Sequence, residues 1–178
     1  PKEFGGFTVG VLVQTNFGGS LMINGAPLGR ELSKSPFEST IPYDEDEGSC
    51  MIVIATDAPL SNRNLKRMAK RVDHAFGRVG AYSSNGSGDY AIIFSTAKAH
   101  SVKDKSIVRE EMKNSAMSGL FMATVEATEE AIINSLFMAE TVSSRYGTME
   151  ALPEKETMKI LKKYKALNWN KKLYPWQK

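Results

Sequence analysis

The sequence predicts an α+β fold, a layered sandwich formed by a single domain over residues 1–178. Strand-like runs stand at Thr8–Gln14 and Met51–Thr56, and an amphipathic stretch runs from Asn62 to Val79. Strands and helices then mix without the strict alternation of a parallel α/β fold, and no internal repeat is present. With 42% of its 178 residues hydrophobic, the chain has the apolar content for one core.

Thr8-Val9-Gly10-Val11-Leu12-Val13-Gln14 is rich in β-branched residues, and Asn16-Phe17-Gly18-Gly19 ends it. Met22 to Ile41 is irregular: Asn24-Gly25 marks a turn, and Pro27 and Pro36 interrupt regular structure. Ser33 to Gly48 is polar, acidic and loop-like. Met51 to Thr56 is a continuous apolar run, the pattern of a strand covered on both faces. A helix follows, capped by Asn62 and closed by Gly80, with Leu65, Met68, Ala69, Val72, Ala75, Phe76 and Val79 on one side. Lys66, Arg67, Lys70 and Arg71 form its solvated face. Asn85-Gly86-Ser87-Gly88-Asp89 is a tight turn feeding a strand from Tyr90 to Phe94. One or two helices span about Asn114 to Val142, and Pro153 opens a last helix running through Leu161 and Tyr164.

No apolar run approaches the roughly 18 residues of a membrane span, and no basic-then-apolar leader opens the chain. A start at Pro1 without methionine leaves room for upstream sequence. Cys50 is the single cysteine, which excludes an internal disulfide and leans to a reducing compartment, with cytoplasm and periplasm both open. His74, His100 and that one thiol make no zinc-ligand spacing, so neither metal nor cofactor is expected. The net charge of +3 is uneven: residues 1–48 hold three basic residues against seven acidic ones, leaving 20 basic and 13 acidic residues in 49–178. Such a boundary fits two segments that stay associated after separation. The lysines at 162, 163, 165, 171 and 172, near Trp169 and Trp176, could suggest nucleic acid, but charged faces and tails are usually just solvated.

The boundary falls at "DEDEGSCMIVIATD", residues 44–57, where four acidic residues and a glycine run into Ser49. Phosphate-binding glycine patterns are absent, and neither His74 nor His100 stands beside a nucleophile motif. A serine freed as a chain terminus needs no histidine, because its own α-amine, with a pKa of about 7.7–8.0, is a built-in base. Its hydroxyl must attack the preceding carbonyl to free itself, so a small residue must stand before it. Gly48 meets that requirement, and the acidic run keeps the new end solvated. Cys50 reads as a small buried apolar residue rather than a second nucleophile.

The run "GSCMIVIATDAPLSNRNLKRMAKR" resembles the cleavage-site segment of the β-peptidyl aminopeptidase and D-aminopeptidase/esterase family of self-processing N-terminal serine hydrolases. "TVGVLVQTNFG" at Thr8–Gly18 resembles that family's oxyanion-site strand, "NGSGDYAIIFST" at Asn85–Thr96 its second active-site turn, and "VEATEEAIINSL" at Val125–Leu136 its long helix. The resemblance implies an αββα sandwich, two helical layers around two sheets. It also implies autoproteolysis between Gly48 and Ser49, with residues 1–48 ending the α segment of a longer precursor and 49–178 forming the β segment. Carried over position by position, the nucleophile falls on Ser49, the oxyanion-site asparagine on Asn16, and the serine and acidic residue of the second turn on Ser87 and Asp89. The family commonly has glutamate where this chain has Asp89.

The expected function is therefore hydrolysis of N-terminal amino-acid amides, esters or short peptides, β- or D-amino-acid peptides included, through an acyl-enzyme on Ser49. The alternatives are an acyltransferase of the ornithine acetyltransferase kind, a family that generally uses threonine, and a non-catalytic binding protein. Expected partners are the small substrate, the missing N-terminal segment of the precursor and further copies in a homo-oligomer, with neither nucleic acid nor membrane.

Overall fold

The β-branched run near the start forms β1 (Val9–Asn16), and the apolar run after the acidic stretch forms β2 (Ser49–Thr56). In the computed structural model, residues 6–32, 48–97, 103, 105–106 and 110–167 are described. The acidic run Asp44–Glu47, His100, Trp169, Trp176, Lys171 and Lys172 lie outside them.

β2 is the centre of a three-stranded sheet, antiparallel to β1 and parallel to β3 (Gly88–Ser95). One face of the sheet, bearing Cys50, Ile52 and Ile54, is buried beneath Val72, Phe76, Val79 and Ile132. These come from α3 (Val72–Val79) and α4 (Ser118–Phe137), so the described residues supply one sheet of the expected sandwich and the helical layer on it. The other face is open: Leu12, Met51, Val53, Tyr90, Ile92 and Phe94 all stand exposed on it, Tyr90 at 63%. Met51–Thr56 is thus covered on one face only by the described residues, where its apolar run predicts cover on both.

The single helix expected over Asn62–Val79 is two, α2 (Asn62–Ala69) and α3. At the junction the Arg71 N–H donates to the Met68 carbonyl (2.8 Å) and the His74 N–H to the Arg71 carbonyl (3.1 Å). These i→i−3 bonds tighten the turn and re-aim the chain. Met68 then packs with Ala58, Met117 and Leu120, while Val72, Phe76 and Val79 pack on the sheet. Asn62 does not cap α2. Ser61 occupies that position without a side-chain cap bond, and Glu111 gathers the Ser61 hydroxyl and the Asn64 amide instead. Arg67 and Arg71 are not simply solvated, since both guanidiniums lie over the Phe121 ring, 4.8 and 4.2 Å from its centroid. Gly80 ends α3 as predicted, at a left-handed φ of 84° that a residue with a Cβ adopts only under strain.

Asn24-Gly25 forms the expected turn between Ile23 and Ala26, and a one-turn helix, α1 (Leu28–Glu31), interrupts the stretch predicted to be irregular. A short 3₁₀ turn at Asn114–Ala116 precedes α4. α4 stops at Phe137, before the predicted Val142, because that residue opens an exposed hairpin of β4 (Val142–Ser144) and β5 (Gly147–Met149). Pro153 stands just before α5 (Glu154–Lys163), whose Ile160 and Leu161 pack against Ile23, Ala26 and Leu28. A Lys163–Glu31 ion pair of 2.8 Å ties α5 to α1. No helix among the described residues is long and apolar enough to cross a membrane.

Candidate active site

The sheet register brings the three stretches together. Asn16, the last residue of β1, pairs with Ser49, the first of β2, and Ser49 pairs with Gly88, the first of β3. Side chains alternate across a strand, and both Asn16 and Ser49 are exposed, on the open face.

Ser49 is already directed at the bond before it. Its Oγ donates a 2.6 Å hydrogen bond to the carbonyl oxygen of Gly48, and the same oxygen accepts the Gly88 N–H at 3.1 Å. That main-chain donor is a site group that side-chain reasoning missed, since backbone N–H groups leave no mark on composition. The only hint was a glycine between Ser87 and Asp89, where a Cβ would come within 3.1 Å of the Tyr90 ring and 3.4 Å of Ser49 Oγ. A small residue at 88 keeps the hydroxyl's space open.

Ser87 and Asp89 join the site from its edge. The Asn85-Gly86 turn closes with the Ser87 N–H on the Ser84 carbonyl (2.9 Å), and Ser87 Oγ donates to Asp89 Oδ2 (3.0 Å). Asp89 pairs with Cys50, not with Ser49, so its side chain leaves the sheet on the helix-covered face. There its Oδ1 is buried without a hydrogen-bond partner among the described residues. A buried carboxylate oxygen left unpaired is costly, and this one lies a single register step from Ser49. Cys50 is fully buried, and desolvation, with a smaller contribution from the Asp89 charge, pushes its thiol up to about 11. It remains protonated near neutrality, in keeping with a packing residue.

The end of β1 is firmly held. Thr15 Oγ1 and Ser135 Oγ of α4 share a 2.9 Å hydrogen bond, and the Phe17 ring meets Phe76 at 5.2 Å between centroids. Beyond them the Ser20 N–H donates to the Gly80 carbonyl at 3.1 Å. His74 is exposed on α3. The described residues contain no cluster of three or more His, Cys, Asp or Glu suited to a metal ion.

A sequence profile described as peptidase family S58 matches residues 1–150. Beta-peptidyl aminopeptidase BapA of Sphingosinicella microcystinivorans is 43% identical over 176 residues, covering 90% of this chain and 44% of that protein. Among solved structures, the L-aminopeptidase D-Ala-esterase/amidase of Ochrobactrum anthropi, described as a variant of the Ntn hydrolase fold, superposes with a TM-score of 0.79. It is 30% identical, with 90% of this chain and 45% of that one covered. A β-aminopeptidase from a Burkholderia species gives a TM-score of 0.78 at 32% identity, covering 92% and 46%. The chain spans less than half the length of each of these relatives.

Proposed function

Because the chain belongs to peptidase family S58, we propose that it carries the nucleophile of a self-processing aminopeptidase, with Ser49 acting first on its own chain and then on substrate. The observation that carries this reading is the Ser49 hydroxyl, hydrogen-bonded at 2.6 Å to the oxygen of the carbonyl it would attack, while the Gly88 N–H holds the same oxygen.

In self-processing, Oγ adds to the Gly48 carbonyl carbon, its proton passes to the Ser49 nitrogen, and the carbon–nitrogen bond breaks to leave an ester. Water then cleaves the ester, releasing Gly48 as a carboxylate and Ser49 as a free terminus. In turnover the new α-amine takes the proton from Oγ as Oγ adds to the substrate carbonyl, then delivers it to the departing amine. Water, deprotonated by the same amine, returns the acyl group as an acid and restores Oγ–H. The oxyanion formed at each addition is stabilised by the Gly88 N–H and by the Asn16 amide opposite Ser49. Asp89, with its unpaired oxygen and the Ser87 hydroxyl on the other, orients the new ammonium group.

The substrates are N-terminal amino-acid amides, esters or short peptides. The partner is the remainder of the precursor: the relatives are more than twice as long as this chain, and the apolar open face around Leu12, Tyr90 and Ile92 offers a second sheet a surface to cover. Association of processed heterodimers into a homo-oligomer is part of the same reading.

Mass spectrometry and N-terminal sequencing of the purified full-length protein test it. Two polypeptides are expected, one beginning Ser-Cys-Met-Ile. Ser49→Ala should remain one chain and lose all hydrolysis. A wild-type protein that stays intact through long incubation at neutral pH would overturn the reading.

A further inference from the structure

The outer surface of the helical layer divides by charge. α2 and the turn after it carry Arg63, Lys66, Arg67, Lys70 and Arg71, with no acidic residue between Asp57 and Asp73. α4 carries Glu126, Glu129 and Glu130 and no basic residue, the nearest in sequence being Lys113 and Arg145. Arg67 and Arg71 are engaged by the Phe121 ring, and Glu129 by Arg78 at 2.8 Å. Arg63, Lys66 and Lys70 on one helix, and Glu126 and Glu130 on the other, stand exposed without an ion-pair partner among the described residues. Lys66 and Lys70 are four residues apart, as are Glu126 and Glu130, a spacing at which like charges repel along a helix.

α3 joins the two strips, leaving α2 at Arg71 and reaching α4 at the Arg78–Glu129 pair. Gly77 stands exposed on it at an ordinary helical φ, and a Cβ there would meet no other atom within 4 Å. Packing among the described residues does not require glycine at this position, and glycine weakens a helix interior relative to alanine. What its bare α-carbon does permit is close approach by another main chain.

Resting on the homo-oligomer of the proposed function, we propose that this face is the interface between two copies of the chain, with α2 of each lying against α4 of the other. A two-fold axis standing midway between two patches on one face sets each patch over the other patch of the second copy. Each basic strip then meets an acidic one, twice over. The axis passes α3, where Gly77 lets the two copies come close, and Met122, 51% exposed one turn before Glu126, adds an apolar contact. The precursor segment proposed to cover the open face lies across the sheet, which leaves the helical face to a second copy.

Sedimentation of the processed full-length protein tests this with two charge reversals, Lys66→Glu with Lys70→Glu, and Glu126→Lys with Glu130→Lys. All four positions are exposed and across the sheet from Ser49, so both proteins should self-cleave and hydrolyse substrate as the wild type does. Each should fall in mass, its dissociation constant raised by about 100-fold or more, because like charges then face one another. Mixed in equal amounts, the two should associate again, since the acidic α2 of one meets the basic α4 of the other at one contact and the signs exchange at the second. Gly77→Leu should weaken the wild-type association, as should 1 M salt, which screens charges beyond about 3 Å. A wild-type protein that stays a single processed heterodimer at every concentration would overturn both the interface and the homo-oligomer, leaving the role of Ser49 untouched. An oligomer whose mass neither reversal changes, or reversed proteins that stay apart when mixed, would overturn the interface alone. So would an α2 reversal that abolishes binding to single-stranded DNA and leaves the mass unchanged, which would give the basic strip a nucleic-acid partner.

Discussion

Replacing Asn16 with alanine removes the side-chain amide that faces Ser49 across the β1–β2 ladder. Loss of one preorganised oxyanion donor costs about 2.7–4 kcal/mol, or about 10²–10³ in kcat. The Gly88 N–H, which holds the Gly48 carbonyl oxygen at 3.1 Å before the cut, remains as a second donor, so activity should fall by that factor without reaching the level of Ser49→Ala. KM should hardly change, because the lost bond strengthens only as charge develops on the oxygen. Asn16 is exposed at the end of its strand, so the folding cost should stay within about 0.5 kcal/mol. The assay is steady-state hydrolysis of glycyl p-nitroanilide by protein whose N-terminal sequence confirms cleavage at Ser49, since the same substitution should slow processing. A processed Asn16→Ala enzyme with wild-type kcat, or one whose whole loss lies in KM, would refute the assignment.

Asp89→Asn should lower kcat for every substrate, N-acetylated ones included, because Asp89 faces the Cys50 side of the sheet rather than the open face. Removing a carboxylate beside the Ser49 amine lowers that amine's pKa, so the acid limb of the pH–rate profile should move to lower pH. A rise in KM confined to substrates with a free amine would instead make Asp89 a substrate-binding group. Cys50, its thiol pushed from 9.0 to about 11, carries about a hundredfold less thiolate near neutrality than an unperturbed thiol. Iodoacetamide should therefore label it at pH 8 only when the protein is unfolded, and labelling of the native protein should rise as the pH climbs towards 11. Equal labelling rates with and without urea would contradict its burial.

What could be read from the sequence was what side chains announce. Valines and isoleucines marked β1 and β2, Gly80 marked a helix end, and Gly48-Ser49 marked a junction that plain packing does not require. The break between α2 and α3 was hidden because Met68, Val72 and Phe76 keep a four-residue spacing through it, while the hydrogen bonds that change there belong to the backbone. β4 and β5, three exposed residues each, are too short to show a period. The family resemblance also assigned Asn16, Ser49 and Ser87–Asp89 to one site, but not to faces. Side-chain direction flips with each residue of register, so the position of Asp89 beside Cys50 became visible only once β2 and β3 were paired. The Gly88 N–H is a feature of a backbone brought close by tertiary pairing, and no residue type encodes it.

The cut proposed between Gly48 and Ser49 would turn the eight-residue ladder between β1 and β2 into a memory that the product cannot rewrite. Before the cut, β1 finds β2 as a neighbour on one chain, and the cost of closing the loop between them grows only slowly with its length. After the cut the same pairing is between two molecules. It persists as long as the ladder and the α1–α5 ion pair hold, yet once melted it can return only by a second-order encounter. Apparent stability should then depend on protein concentration, and dilution from urea should restore the uncut Ser49→Ala protein far more fully than the processed one. Under the proposed cut, the cleaved form would be a folded arrangement inherited from its precursor, protected by the height of its unfolding barrier more than by its ability to assemble again.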